Sequence, residues 1–362
     1  MGSSMRRAVL ACLGSLAAAG PALGAPAQFQ AGLTLVGQTS DADAADSEVV
    51  ASLDLITTVP MGAGAWTLYV EGNTSPENQG VSAVLPEANA DAGTALDRDG
   101  NGRLQVSELH YSVHSGAGEA VIGLLDVTVY LDTSGVANDE ATQFLGAGFV
   151  NNPTVAFPDY TLGGVVSQPA AGRGFGYVAA VAGSNGLGDN PDASYSELVD
   201  LGEDGKGVFS ALELQWRAGP TLLRLGGWWS TADRPALDGS GDDLDNRGVY
   251  LSTDWTDGPV GFNLRAGLAR DSVSEAADFV ALALDYRAAD GRLGLGWART
   301  GASDELGAEA EATQQAEFYL RMDFSPHLHL TPSVQWLLDS GLGASPAGED
   351  AVVGSLRLGL AY

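Results

Sequence analysis

Cysteine, lysine and long apolar runs are what this 362-residue sequence has least of. Cys12 is its one cysteine and Lys206 its one lysine, and charged residues make up only 17% of the chain. The longest apolar run, residues 8–19, is shorter than the roughly 18 to 20 residues that a membrane-spanning helix needs. A helical membrane protein is therefore excluded, and a single cysteine cannot form an internal disulfide framework.

The N-terminus has the pattern of a secretory signal. Arg6 and Arg7 form the basic start, residues 8–19 form the apolar segment, and small residues follow. We predict that residues 1–24 are a cleaved signal peptide, with cleavage after Ala27 as the alternative. Residues 25–362 are then expected to form one domain. Cys12 lies inside the signal, and a lipoprotein is disfavoured because too few apolar residues precede it.

Acidic residues greatly outnumber basic ones. The formal charge is −29 and becomes −31 once Arg6 and Arg7 leave with the signal. This charge argues against binding to nucleic acid or to an anionic membrane surface. Much of it lies in Gly-, Ala- and Ser-rich stretches, such as residues 238–245 and 304–311, which have the composition of loops.

Apolar and polar residues alternate in segments of about 10 to 13 residues, a length that suits tilted membrane strands. In the last segment, Leu356, Leu358 and Leu360 fall on one face and Arg357 falls on the other. A soluble β-sandwich also alternates in this way. Periodicity alone therefore leaves both geometries open.

The connections between these segments alternate between short and long. Short candidates are residues 61–64, 115–118, 168–172, 219–220, 256–259, 288–291 and 325–326. Long candidates are residues 39–46, 74–103, 132–160, 184–205, 231–245, 270–277, 301–311 and 339–349. We therefore predict an all-β fold, a 16-stranded antiparallel transmembrane β-barrel with short periplasmic turns and long extracellular loops. Such a barrel is wide enough for an aqueous channel.

Residues 97–108 match the twelve-residue pattern of a calcium loop. The predicted ligands are Asp97, Asp99, Asn101, the carbonyl of Arg103, and Glu108 at the twelfth position. The alternative is an acidic, glycine-rich turn that is merely solvated. The pattern favours a structural calcium ion that stiffens the second long loop, and Glu108→Gln is expected to weaken its binding.

Catalytic motifs are missing from the sequence. It contains no Gly-x-Ser-x-Gly elbow and no phosphate-binding loop, and no cysteine nucleophile remains after signal cleavage. His110 and His114 would lie about 13 Å apart on a strand, and His327 and His329 about 7 Å apart, so neither pair makes a compact site. We predict that the protein is not an enzyme.

Charged residues at inward-facing strand positions are predicted to line a pore of mixed charge. They are Asp126, Glu213, Arg217, Arg224, Arg265, Asp285, Arg321, Asp323 and Arg357. Glu108 also falls on the inward face. A one-residue slip in strand register would move any of these side chains to the other face. The alternative role is to line a wet lumen without selecting a solute.

One stretch resembles the OprB-type carbohydrate-selective outer-membrane porins. It contains Ala137-Asn138-Asp139-Glu140 and Gln143-Phe144-Leu145, followed by Phe149, Asn151-Asn152-Pro153 and Pro158. The resemblance implies that residues 132–160 fold inward as a constriction loop. Its members would be Asn138, Asp139, Glu140, Gln143, Phe144, Asn151, Asn152 and Pro153. The resemblance also implies passage of monosaccharides and other small neutral solutes.

Three functions remain open. The leading one is an outer-membrane porin for passive diffusion of small solutes, which the resemblance implies to be sugars. Membrane lipid is its expected partner, and a homotrimer is the oligomer to test. The second is a cation-preferring general porin, which the charge of −31 favours. The third is a secreted calcium-dependent adhesion or surface protein, which would be soluble without detergent.

Overall fold

Sixteen strands close into one antiparallel barrel in the part of the chain that the computed structural model describes, residues 26–190, 192–201, 206–307, 310–342 and 350–362. The strands are β1 (Gln28–Ser40), β2 (Glu48–Met61), β3 (Gly64–Asn73), β4 (Leu104–Ser115), β5 (Gly118–Leu125), β6 (Thr161–Gln168), β7 (Gly174–Gly183), β8 (Val208–Ala218), β9 (Thr221–Pro235), β10 (Asp243–Asp257), β11 (Val260–Ala269), β12 (Ala276–Ala288), β13 (Gly291–Ala302), β14 (Thr313–Ser325), β15 (Leu328–Leu338) and β16 (Ala351–Ala361). Each strand pairs with its sequence neighbours, and β1 closes the barrel on β16. The predicted fold is confirmed. The predicted signal peptide, residues 1–24, lies outside the described residues.

The helices of the described chain are short and lie in the long loops. They are the α-helical turns Val81–Val84 and Ala147–Val150 and the 3-10 turns Pro86–Ala88, Val127–Val129, Tyr195–Val199 and Asp304–Leu306. None of the described helices is long and apolar enough to cross a membrane.

Tight turns close one end of the barrel. Six of the seven short connections contain two residues, and two of them pair a glycine with a proline. Gly219 and Gly258 have φ of 61° and 55°, and Pro220 and Pro259 follow them. A positive φ at the first central residue is what a type II′ hairpin turn requires, and glycine adopts it without strain. These turns set strand register at this end.

Apolar side chains cover the outside of the barrel. In β16, Leu356 and Leu360 are 52% and 40% exposed, whereas Arg357 between them is buried on the inward side. Exposed aromatic side chains ring the short-turn end: Phe29, Trp66, Phe175, Trp216, Trp255, Tyr286, Phe324 and Tyr362. An apolar wall with an aromatic girdle is the outer surface of a barrel in the bacterial outer membrane. The chain is such a barrel, and the alternative of a soluble surface protein is wrong.

Candidate functional site: the barrel interior

The third loop, residues 126–160, joins β5 to β6 and folds into the barrel. It begins six residues before the predicted start at 132 because β5 ends at Leu125. The Asp126 carboxylate accepts hydrogen bonds from the N–H and the hydroxyl of Thr128, both at 2.7 Å, and caps the turn Val127–Val129. Asp126 therefore starts this loop, and its predicted place on a strand is wrong.

Arg265 on β11 holds the third loop by its backbone. Its guanidinium donates to the carbonyl oxygens of Asp132 at 2.9 Å and Val150 at 3.1 Å, and its Nε lies 3.5 Å from the Asp132 carboxylate. Asp132 and Tyr160 have φ of 50° and 48°, a left-handed conformation that costs non-glycine residues about 1–3 kcal/mol. Contacts such as those of Arg265 must hold the loop in this conformation.

Arg357 on β16 holds a second part of the loop. It donates to the carbonyl oxygens of Glu140 and Gln143, the latter at 2.6 Å. Beside it, Nε2 of His329 lies 3.2 Å from the carbonyl oxygen of Ala141. Hydrogen bonds that involve a charged group contribute about 1.5–3 kcal/mol each. The wall therefore binds the loop firmly at residues that are far apart in sequence.

Carboxylates of the wall bind the N–H groups of the same loop. Glu317 on β14 accepts from Leu145 at 2.9 Å and from Gly146 at 2.8 Å. Glu213 on β8 accepts the N–H of Asp132 at 2.9 Å. Glu317 was not predicted as a site residue, although the alternation of β14 places it inward. Together with the arginines, these contacts lay the loop along β8 to β16.

Side chains of the Asn-Asp-Glu and Asn-Asn-Pro groups shape the loop itself. The Asp139 carboxylate accepts from the N–H and hydroxyl of Thr142 at 2.9 and 2.6 Å. Asn152 accepts the hydroxyl of Thr154 at 2.7 Å, and the N–H of Asn138 donates to Gln143 at 3.0 Å. Asn151 follows the helical turn, and Pro153 is exposed. The motif therefore builds the loop scaffold.

An aromatic cluster seats the loop on the wall. Phe144 lies 4.7 Å from Phe149 and 4.9 Å from Tyr319 between ring centres, the second pair edge to face. Gly296 on β13 faces this pair so closely that a Cβ atom there would clash with both phenylalanine rings. Glycine at this position leaves the space that the rings fill.

The second loop, residues 74–103, also reaches inward, which was not predicted. Nε2 of Gln335 donates to the carbonyl oxygen of Ala88 at 2.9 Å. The N–H of Ala90 donates at the same distance to a carbonyl of the third loop. Glutamine at an inward-facing strand position is the one sequence signal for this contact. The two loops together narrow the interior from the extracellular side.

The remaining predicted pore-lining residues lie on strands and have partners along the interior wall. They are Glu213, Arg217, Arg224, Arg265, Asp285, Arg321, Asp323 and Arg357. Arg224 pairs with Asp254 at 3.0 Å, Arg292 with Asp285 at 2.5 Å, and Arg321 with Asp323 at 2.6 Å. Their pore-lining role stays a prediction. The arginines are engaged by carboxylates or by loop carbonyls.

Carboxylates on the opposite wall, β2 to β4, have hydroxyl partners. Asp54 accepts the hydroxyl of Tyr69, and Glu71 accepts the hydroxyl of Ser107 at 2.9 Å. Asp91 of the second loop joins this wall by accepting the hydroxyl of Ser52 at 2.7 Å. Glu108 also lies there, with the Nε2 of His110 at 3.4 Å. The interior is thus divided into an arginine-containing side and an acidic side, which we call the acidic wall.

The predicted calcium loop is only partly assembled. The Asp97 carboxylate accepts the N–H groups of Asp99 and Asn101, both at 2.9 Å. β4 begins at Leu104, and Glu108 lies about 13 Å further along that strand, given a rise of about 3.3 Å per residue. No three His, Cys, Asp or Glu side chains among the described residues are placed to hold a metal ion.

The assignment of Glu108 as the twelfth calcium ligand is therefore wrong. Strand pairing with β3 carries it away from Asp97 and onto the inner wall. Arg103, whose carbonyl was predicted as a ligand, donates from its side chain to the carbonyl of Ala193 at 2.7 Å. The remaining ligands form a compact turn at the extracellular end.

Comparison with solved structures shows the fold of porins. The chain is similar to Pseudomonas putida OprB, with a TM-score of 0.73 and 13% identity over 93% of this chain and 94% of that one. A mutant Rh. blastica porin matches with a TM-score of 0.53 and 12% identity over 93% and 100% of the two chains. Vibrio cholerae OmpT without loop L8 matches with a TM-score of 0.54 and 14% identity over 93% and 99%. The resemblance to OprB-type porins is thus confirmed at the level of the fold.

Sequence comparison adds little. No family model matches the chain. An uncharacterized protein of Aquifex aeolicus is 34% identical over 79 residues, which are 22% of this chain and 26% of that protein. The matched stretch thus spans about a quarter of that relative.

Proposed function

We propose that the protein is a passive outer-membrane diffusion channel that passes small neutral solutes, sugars among them, and passes cations more readily than anions. The observation that carries this proposal is the division of the interior. Arginines of one side are engaged in holding the third loop, and carboxylates stand on the acidic wall.

The arginine side offers little positive charge to a solute. The guanidinium of Arg265 is directed at loop carbonyls and at the Asp132 carboxylate, and that of Arg357 at two further carbonyls. Arg224 is paired with Asp254. An arginine whose N–H groups already donate to such partners binds a passing anion less well than an arginine whose N–H groups are free.

The acidic side has the opposite property. Asp54, Glu71 and Asp91 accept hydrogen bonds from hydroxyl groups rather than from arginines. Rings or walls of carboxylates favour cations in aqueous pores. The formal chain charge of −29 has the same sign.

Support for sugars comes from the neutral part of the interior. Hydroxyl and amide side chains such as Thr34, Gln38, Thr67, Gln105 and Ser112 face inward on β1 to β4. Such groups both donate and accept hydrogen bonds, as sugar hydroxyls do. The structural likeness to Pseudomonas putida OprB points the same way.

Planar-bilayer recordings of the refolded mature protein test this function. We expect stable channels, a reversal potential of cation sign in a KCl gradient, and a reduced current on addition of glucose or maltose. Channels with an anionic reversal potential would contradict the cation preference. A current unaffected by either sugar would contradict sugar passage, and the absence of channels would contradict the porin itself.

The calcium prediction now rests on Asp97, Asp99 and Asn101. We propose a weak extracellular calcium site there, with a Kd on the order of 10⁻⁴–10⁻³ M, as in other weak oxygen-ligand sites. Asp97→Asn should abolish binding in a calorimetric titration of the detergent-solubilised protein, whereas Glu108→Gln, the matched control, should leave it unchanged. Equal loss in both variants would show that Glu108 reaches the ion after all.

The pH dependence of this site follows from Asp97. Hydrogen bonds from the backbone N–H of Asn101, and then of Asp99, hold the pKa of the Asp97 carboxyl below its usual value. The carboxylate therefore stays charged as the pH falls through the ordinary aspartate range. Calcium binding should be retained there and lost only below that lowered pKa.

A further inference from the structure

A depression of about 910 Å³ lies on the membrane-facing side of the barrel, over β7 to β11. Its volume falls within the range of about 300–1,000 Å³ that is typical of small-molecule sites. Ala179, Ser210 and Gly227 are the small outward-facing residues in it, and larger exposed side chains such as Leu212 and Trp229 surround them. The barrel wall is therefore indented rather than smooth at this place.

Strand pairing arranges the lining in two rows. The row nearer the long loops contains Ser210, Trp229 and Arg247, aligned across β8, β9 and β10. The row two residues closer to the short turns contains Leu212, Gly227, Val249 and Leu268. A polar and aromatic row above an apolar one marks the boundary between headgroups and acyl chains. Because the long loops are extracellular, this boundary belongs to the outer leaflet.

Two arginines stand at this boundary with different surroundings. The N–H of Arg270, the residue after β11, donates to the carbonyl of Arg247 on β10 at 2.9 Å, so the two residues are neighbours. The Arg270 guanidinium is paired with Asp245, which also accepts the indole N–H of Trp229 at 2.7 Å. The exposed side chain of Arg247 forms no hydrogen bond or ion pair with another described residue. One cationic group is thus left at the edge of the depression.

We propose that this depression binds a membrane lipid whose headgroup carries a phosphate. Arg247 binds the phosphate, for which the planar guanidinium offers two parallel N–H groups. An acyl chain lies over Gly227, between Leu212 and Val249. Because the chain has a formal charge of −29, it repels anionic lipids in general. The side chain of Arg247, which forms no ion pair with another described residue, marks the place where an anionic lipid can bind. This proposal does not depend on which solutes cross the barrel.

Native mass spectrometry of the mature protein in a neutral detergent tests this site. The probes are dioleoyl phosphatidic acid and dioleoylglycerol, which have the same chains but differ in the phosphate. We expect retention of phosphatidic acid at least tenfold above dioleoylglycerol. Loss of a charge-assisted hydrogen bond should make Arg247→Gln bind phosphatidic acid about tenfold more weakly. Gly227→Leu should weaken it similarly by filling the groove, since the nearest neighbouring atom lies 4.0 Å from a Cβ at that position.

Two control variants match these changes elsewhere. Arg173→Gln removes an exposed arginine at a short turn, and Gly37→Leu adds a side chain to an open position on β1. Both should bind phosphatidic acid as the wild type does. Equal retention of the two lipids, or full displacement by millimolar inorganic phosphate, would overturn the proposal in favour of a general apolar surface or a simple anion site. A changed number of protein copies per particle in Gly227→Leu would instead assign the face to contact between copies.

Discussion

A barrel that carries leucine in place of Arg265 and Arg357 should conduct ions better than the wild type by roughly twofold or more, because a 16-stranded barrel without its inner loop approaches an open aqueous channel. The two arginines bind backbone carbonyls at both halves of the third loop. Removing Arg265 also removes the guanidinium that lies 3.5 Å from the Asp132 carboxylate. The measurement is single-channel conductance together with the size limit for uncharged solutes.

The control for this pair is an arginine that does not touch the third loop. Arg299 on β13 pairs with Asp278 at 2.6 Å, and Arg299→Gln removes a charged contact without reaching the loop. Circular dichroism should show the same strand content in all variants, since the sixteen strand pairs are unaffected. Unchanged conductance and an unchanged size limit in the double variant would show that the loop does not constrict the channel.

The second large effect is expected on ion selectivity. A double variant, Asp54→Asn with Glu71→Gln, should move the reversal potential in a KCl gradient towards zero. A wall carboxylate and a permeating cation about 4 Å apart in a water-like medium attract each other by about 1 kcal/mol, which changes an equilibrium constant by a factor of about five. We therefore expect the cation-to-anion permeability ratio to fall by roughly fivefold or more. Both substitutions preserve side-chain shape, so Tyr69 and Ser107 keep an oxygen to which they can donate.

A matched pair of loop acids separates local from global charge. Asp238 and Asp242 are exposed in the loop between β9 and β10, and Asp238→Asn with Asp242→Asn removes the same charge far from the acidic wall. Ionic screening at about 0.1 M salt has a length of about 10 Å, so this control should shift the reversal potential only slightly. Equal shifts in both pairs would assign selectivity to the net charge of the loops.

Arg357 shows how far sequence reasoning reaches. Its position between Leu356 and Leu358 predicts an inward side chain, because strand residues alternate between faces. Its partners, Glu140 and Gln143, lie 217 and 214 residues away in the chain. Local periodicity carries no information about contacts at such separations, and only closure of the barrel brings them together.

Glu108 shows where a pattern misleads. The spacing from Asp97 to Glu108 fits a calcium loop, but it is equally compatible with a tight turn that runs into a strand. Pairing of β4 with β3 decides between these, since it fixes Leu104–Ser115 in an extended form. The inward path of the second loop was likewise unpredictable, because its contacts come from strands at both ends of the chain, such as Gln38 of β1 and Gln335 of β15.

The sequence by itself determined the sixteen strands, their inner and outer faces and the order of short turns and long loops, because these follow from period-two alternation and from turn residues that are neighbours in the chain. Tertiary structure alone decided which wall arginines bind the third loop, which carboxylates form the acidic wall and where the outer surface is indented. Those features are sums of contacts across strands, and a chain without its closed barrel does not yet have them.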